Sequence, residues 1–363
     1  MHRLTGRLPN GPMNNRLVVL TLLLAGCAPA PDRGDDPVES VSSPAPVYTP
    51  PPVAAESHDL TQVDIERLMD ELSNWGRWGA DDQLGAANLI TQAKRLEAIG
   101  LATEGITVSL AHPVLTDEAA DVEYPLERSM VSLPDPTAEP VFRGGVSDIY
   151  NHRYHGYSHS HIDALCHILY KGRMYNGVSQ ETITDEGCSF GAVANLSGGI
   201  VTRGVLIDVP RLKGVPYLEP ETPIYMEDLD AWEAMAGITV RPGDAVFVRT
   251  GRWARRAAVG PWDLSARAAG LHASAMPWLK ARDVSFLGSD AALDVVPSGV
   301  DGVTLPVHML AIAAMGVDIF DNQDLEALAE IAAELNRWEF MLVAAPLPVE
   351  TGTGSPINAL AIF

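Results

Sequence analysis

The chain has 363 residues, 47% of them hydrophobic, which allows one large domain or two small ones around a packed core. A formal charge of −22 at pH 7 excludes the basic face that nucleic-acid binding requires, and it disfavours strongly anionic substrates unless a local basic pocket exists. Three cysteines exclude a disulfide framework. Cys166 and Cys188 could pair in an oxidising compartment or stay as two buried thiols.

Residues 17–26, LVVLTLLLAG, form a short apolar run behind Arg16, the size of a signal-peptide core and too short to span a bilayer well. The run ends in Leu24-Ala25-Gly26-Cys27, which resembles the lipobox of bacterial lipoproteins. The resemblance implies that residues 1–27 are a lipoprotein signal, with Met13 as an alternative start and Cys27 as the lipidated residue. The protein would then be held at the cell envelope by a lipid anchor. In a Gram-negative cell Ala28, in the place of an aspartate, fits transfer to the outer membrane. Residues 28–57 carry eight prolines with serines and acids, a composition that forms no core and reads as a semi-extended tether. The folded domain is expected over residues 58–363.

Leu60, Val63, Ile65, Leu68 and Leu72 recur at helical spacing within 57–72. The segment from Trp75 to Thr91, with glycines flanking tryptophans, reads as a loop anchored by aromatics, either at a pocket mouth or on the core. Residues 105–110 (GITVSL) predict a strand. Residues 113–148, rich in Pro, Asp, Glu and Gly, show no period and are expected to form a lid or substrate loop. Next, His152, His155, His159, His161 and His167 fall within sixteen residues, with Asp163 among them. In an extended strand, side chains two apart share a face, which would align His155, Tyr157, His159, His161 and Asp163. Imidazoles beside a carboxylate suit a borderline divalent ion such as zinc or manganese. Tyr170 and Tyr175 lie in a following turn-rich stretch and are candidates to line the same site.

From Gly199 onward strands and helices alternate, which predicts an α/β arrangement. Strands are expected at 200–209, 245–249, 284–290 and 341–345, and helices at 226–236, 264–282 and 324–339. Asp290, after an apolar strand, is either a functional group or a cap. His308 follows the Pro-containing loop 304–307 and precedes an apolar run. The glycine-rich segment 350–358 lacks a P-loop lysine and Rossmann spacing, so nucleotide binding is discounted.

Residues 157–167 resemble the signature of the metal-dependent cyclase-like hydrolases, a family that includes kynurenine formamidases and isatin hydrolases. That signature reads His-x-Gly-Thr-His-x-Asp-x-Pro-x-His. Here His161, Asp163 and His167 match, whereas Tyr157 replaces the first histidine, His159 the glycine and Leu165 the proline. The stretch from Trp75 and the closing Gly-Thr-Gly-Ser-Pro at 352–356 also resemble the family. The likeness implies a swivelling β/β/α domain with a barrel-like mixed sheet. It implies one or two divalent ions held by His161 and Asp163, with His159 preferred over His155 as a third ligand. His308 and Asp321 fit the positions that hold a second ion, with Asp324 the better helix cap.

The expected reaction is hydrolysis of a C–N bond in a small cyclic or N-formyl amide, with His167 delivering a proton to the leaving amine unless it is itself a ligand. The expected partners are a small-molecule substrate and further copies of the chain. The alternative is a non-catalytic envelope lipoprotein that binds metal or a small ligand on the same fold.

Overall fold

The computed structural model describes residues 48–363 apart from Pro140 and Phe142. The expected signal, Cys27 and most of the tether lie outside the described residues. Packing begins before His58: Val53 rests against the core, and Glu56 pairs with Arg67 at 2.7 Å. The first helix is shorter than the periodicity suggested. It runs Gln62–Glu71 because Thr61 and Asp64 form a reciprocal capping box that sets its start, and it buries Ile65, Leu68 and Met69.

The centre of the protein is a nine-stranded mixed sheet curled into a half-barrel. In chain order its strands are β1 (Thr107–Ser109), β2 (His161–Asp163), β3 (Ile200–Asp208), β4 (Ala245–Arg249), β5 (Phe286–Ser289), β6 (Asp318–Asp321), β7 (Glu339–Ala344), β8 (Gly354–Pro356) and β9 (Leu360–Ile362). Their spatial order is β1-β9-β7-β3-β4-β5-β6-β2-β8. The four central neighbours β3, β4, β5 and β6 are parallel, and the flanking pairs are antiparallel. β4 and β5 are buried throughout, as the near-continuous apolar runs of a covered parallel sheet require. Phe247, Phe286, Phe320 and Phe340 pack ring against ring across the sheet.

The helix at Met226–Ala236 forms with the expected bounds. The helix expected at 264–282 does not. Gly270–Leu271 instead pairs as a short parallel strand with Pro223–Ile224, and only Met276–Ala281 is α-helical. A Cβ at Gly270 would sit 2.5 Å from the Asp294 backbone, so the chain there is wedged into a strand-like crossing that no helix could occupy. Residues 113–148, expected as a lid or substrate loop, have regular structure of their own. They contain one strand of a solvent-exposed hairpin, Glu127–Ser132 paired with Ser147–Asn151.

Asp290 resolves as a cap. Its buried carboxylate accepts from Thr250 N (2.8 Å), Thr250 Oγ1 (2.8 Å), Gly251 N (2.7 Å) and Arg252 N (3.1 Å), at the start of the helix Arg252–Val259. Negative charge at a helix N-terminus is favourable, and these donors have no other partner among the described residues. Asp290→Ala should therefore cost about 2–4 kcal/mol of stability, read as a lower urea midpoint, and Asp290→Asn less.

Candidate metal centre

Strand pairing assembles the site. β2 is only three residues long, so His161 and Asp163 share one face and Ile162 the other. β6 runs antiparallel beside it with Asp321 opposite His161, and β8 flanks the other edge with Gly354 opposite Asp163. Gly354 is required there, since a Cβ would meet the Ile162 carbonyl at 2.3 Å. This is the physical content of the closing Gly-Thr-Gly-Ser-Pro segment: it lets a backbone lie against the site strand.

The alternation that would have extended from Asp163 back to His155 stops at His161. Residues 155–158 form a turn, with Gly156 at φ 115°, and they carry the chain across the site. The turn reverses the expected choice of histidine. His159 points away: its Nε2–H donates to the Tyr124 carbonyl at 2.8 Å. His155 folds back, with Nδ1 2.8 Å from Asp163 Oδ1 and Nε2 hydrogen-bonded to Thr353 Oγ1 at 2.8 Å. The expectation that placed His159 beside His161 and Asp163 is thereby corrected to His155. His161 Nε2 lies 3.2 Å from Asp163 Oδ1, and its Nδ1–H donates to the His159 carbonyl at 2.8 Å. His167 stacks flat on His155 at 3.9 Å between centroids and sets Nε2 3.8 Å from Asp163 Oδ2.

His308 arrives from the far side, on the first turn of the helical run that starts at Pro306. Asp294 caps that turn, accepting from Val307 N at 2.7 Å and His308 N at 3.1 Å, and it also accepts from His308 Nδ1–H at 2.6 Å. This fixes the ring so that Nε2 faces Asp321 Oδ2 at 3.2 Å and Asp163 Oδ2 at 3.8 Å. Nothing in the sequence marks Asp294 for this role. An acidic residue fourteen positions ahead of His308 has no period to reveal it, and only the loop between them brings the two together. Tyr170, Tyr175 and the tryptophans do not line the cavity around these residues. Trp75 donates to the Ala313 carbonyl and Tyr175 to Asp82.

Two triads of ligand-capable atoms, each within 4.8 Å, result: His155, His161 and Asp163, and Asp163, His308 and Asp321. Asp163 belongs to both. Burial alone would raise its carboxyl, yet His167 and His161 hold it well below the usual carboxylate range. Burial alone would lower His161 and His308. Asp163 reverses this for His161, and Asp321 with Asp294 lifts His308 well above the usual imidazole value. The carboxylates thus draw positive charge into the centre, which a divalent cation would supply as well as protons do. Asp163 Oδ1 and Asp321 Oδ1 are buried without a hydrogen-bond donor among the described residues. Although Asp163 Oδ1 is near His155 and His161, the alignment is not that of a hydrogen bond. The donor set of imidazoles and carboxylates fits a borderline divalent ion.

The centre opens into a cavity of about 230 Å³ walled also by Tyr124, Arg153, Tyr157 and Leu305. Tyr124 and Arg153 stand at the two feet of the exposed hairpin, with the guanidinium 3.7 Å above the phenol ring. The turn 155–158 is clamped from below. Buried Arg252 donates to the Tyr157 carbonyl at 2.5 Å and to Asn322 Oδ1 at 2.6 Å, and Asn322 Nδ2 donates to the Gly156 carbonyl at 2.6 Å. Cys166 and Cys188 are bonded, tying the residue before His167 to the strand that follows its loop.

The comparisons identify the family and the fold. The family described as "Putative cyclase" matches residues 108–294, and the chain belongs to it. A crystal structure described as that of a novel cyclase is 30% identical over 85% of this chain and 100% of its own, with a TM-score of 0.72. Isatin hydrolase A from Labrenzia aggregata, bound to benzyl benzoate, shares the fold at 19% identity and a TM-score of 0.52, covering 74% of this chain and 98% of its own. Isatin hydrolase A from Ralstonia solanacearum does so at 21% and 0.50, over 75% and 97%. No match to the chain is found among curated protein sequences.

Arg252→Met would strip the Tyr157 carbonyl and Asn322 of their donor. It should cost about 2–6 kcal/mol, at about 1–3 kcal/mol per buried acceptor left unmade, measurable by chemical denaturation.

Proposed function

We propose that the chain is a metal-dependent hydrolase that cleaves the C–N bond of a small cyclic or N-formyl amide with water. The observation that carries this reading is the convergence of His155, His161, His308, Asp163 and Asp321 on one cavity, in a chain of the cyclase family. The isatin hydrolases share the fold, and the reading extends a hydrolase activity of that kind to this chain. His155, His161 and Asp163 would hold one zinc or manganese ion, and Asp163, His308 and Asp321 a second. Bound there, such an ion lowers the pKa of a water to about 7 and polarises a carbonyl.

The protein supplies the proton path and the shape of the cavity. Burial pushes His167 down to about 4, against the pull of Asp163, so its imidazole is neutral at pH 7 and begins as an acceptor. It takes a proton from the attacking water and passes it to the leaving nitrogen, which departs as an amine while the carbonyl carbon becomes a carboxylate. Burial, then Asp321 and Asp294, push the Tyr157 phenol up to about 12, so it keeps its proton and can donate to the oxygen that becomes negative. Arg153 at the rim is suited to the carboxylate product.

Elemental analysis of the purified protein tests the centre. Wild type should hold one or two equivalents of zinc or manganese, and His161→Ala/Asp163→Ala should hold none. His167→Ala should keep the metal and lose at least a hundredfold in kcat on formamides and cyclic amides. Metal uptake with no turnover on any such substrate would favour the non-catalytic alternative, which the replacement of the signature histidine by Tyr157 keeps in view.

We further propose that the chain is anchored at the cell envelope through Cys27. The Cys166–Cys188 bond supports this, because disulfides persist in oxidising compartments. Cys27→Ser should move the full-length protein from the membrane to the soluble fraction, and an unchanged distribution would refute the anchor.

A further inference from the structure

The cavity at the candidate metal centre, about 230 Å³, is smaller than the range of about 300–1,000 Å³ in which small-molecule sites usually fall. It has room for a reacting amide and little beyond it. A second cavity, of about 740 Å³, adjoins it, and Tyr157 and Leu305 line both. Apart from these two, its walls come mainly from the loop 295–305, with Val295, Val296, Pro297 and Val303 as apolar surface, and from Ser265 on a separate segment.

The loop is fixed before any ligand arrives. Val296 and Ala268 exchange two backbone hydrogen bonds of 2.9 Å, and Val295 N–H donates to the Leu271 carbonyl at 3.0 Å. Ser298 Oγ–H donates to the Val303 carbonyl at 2.6 Å, and Ser298 Oγ accepts from Val300 N–H at 3.1 Å, so this hydroxyl is spent within the loop. Leu305 holds φ 50°, a left-handed backbone that a bulky side chain rarely adopts, just ahead of the helical turn that carries His308. Backbone strain of this kind collects at ligand sites, and here it falls at the junction of the two cavities.

The lining selects the occupant. It has no Lys, Arg or His, and its one charged residue, Asp301, is exposed. An anionic group would find no partner there, whereas valine and proline surface is covered favourably by an apolar one. We infer, resting on the hydrolase reading, that this cavity is the specificity subsite. It takes an uncharged, apolar group carried by the amide substrate while the amide itself sits at the metal centre. Val303 and Ser265 set the size of the group admitted.

N-methylformamide and N-benzylformamide are the probes, because both are N-formyl compounds with an alkylamine leaving group and they differ in the phenyl ring. On the purified full-length protein, kcat/KM should favour the benzyl compound at least tenfold. Val303→Trp narrows the cavity from the loop, and Ser265→Trp does so from an exposed position on the separate segment. Each should abolish that preference with metal content unchanged. Calorimetric titration of N-benzylformamide into the His167→Ala protein reads the subsite without turnover, and adding either tryptophan should weaken binding at least tenfold. Turnover of both amides at equal kcat/KM in wild type, or binding undiminished in both tryptophan variants, would overturn the subsite. Turnover of neither amide, with binding that the tryptophans weaken as stated, would count against the hydrolase reading and leave the subsite standing.

Discussion

Asp163 is a carboxylate with almost no access to water, ringed by the imidazoles of His155, His161, His167 and His308. A buried charge of this kind is tolerable only when it is paired. Three separated parts of the chain must therefore meet around it: the turn before β2, the residue four positions after it, and the helical turn at Pro306. The neighbours of those imidazoles are fixed in their turn. Thr353 holds His155, the His159 carbonyl holds His161, and Asp294 holds His308. Such outer partners set the orientation of each ring, and so which nitrogen faces the centre.

The sheet is what makes this arrangement reproducible. β2 is only three residues long, yet it is paired on both edges, by β6 and by β8, so its register cannot slip without turning His161 and Asp163 to the other face. Behind it, the parallel strands β3 to β6 bury an aromatic and aliphatic core that gives the edge a rigid base. The one irregular element at the centre, the turn at 155–158, is held by Arg252 and Asn322 rather than by sheet hydrogen bonds. An irregular turn with two such carbonyls needs donors: Arg252 meets that of Tyr157 and, through its forked guanidinium, also orients Asn322, which meets that of Gly156.

His159 and His155 show what strand alternation alone does not decide. Both lie an even number of residues from His161, on its face in an idealised strand, and alternation favours the nearer one. The strand ends at His161, however, and Gly156 lets the chain double back, so the more distant histidine reaches Asp163 and the nearer one turns to the Tyr124 carbonyl. The helix expected at 264–282 failed for a related reason. Its apolar spacing was genuine, but Gly270 is pressed against the Asp294 backbone and pairs with Pro223–Ile224, a contact made by residues far apart in sequence.

By itself, the sequence determined the elements whose signals are local. These are the buried strands of the α/β core, the helix at 226–236, the density of imidazoles around Asp163 and the motif that aligns the chain with the cyclase family. Each depends on periodicity or on residue types at short spacing, which side-chain geometry along one strand or helix dictates. The tertiary structure alone decided which histidine stands beside Asp163, that Asp294 orients His308, that Asp290 is a cap, and that His159 bonds to the Tyr124 carbonyl. Those outcomes depend on strand register, on a glycine turn and on hydrogen bonds between residues far apart in the chain. No property of a residue's immediate neighbours encodes them.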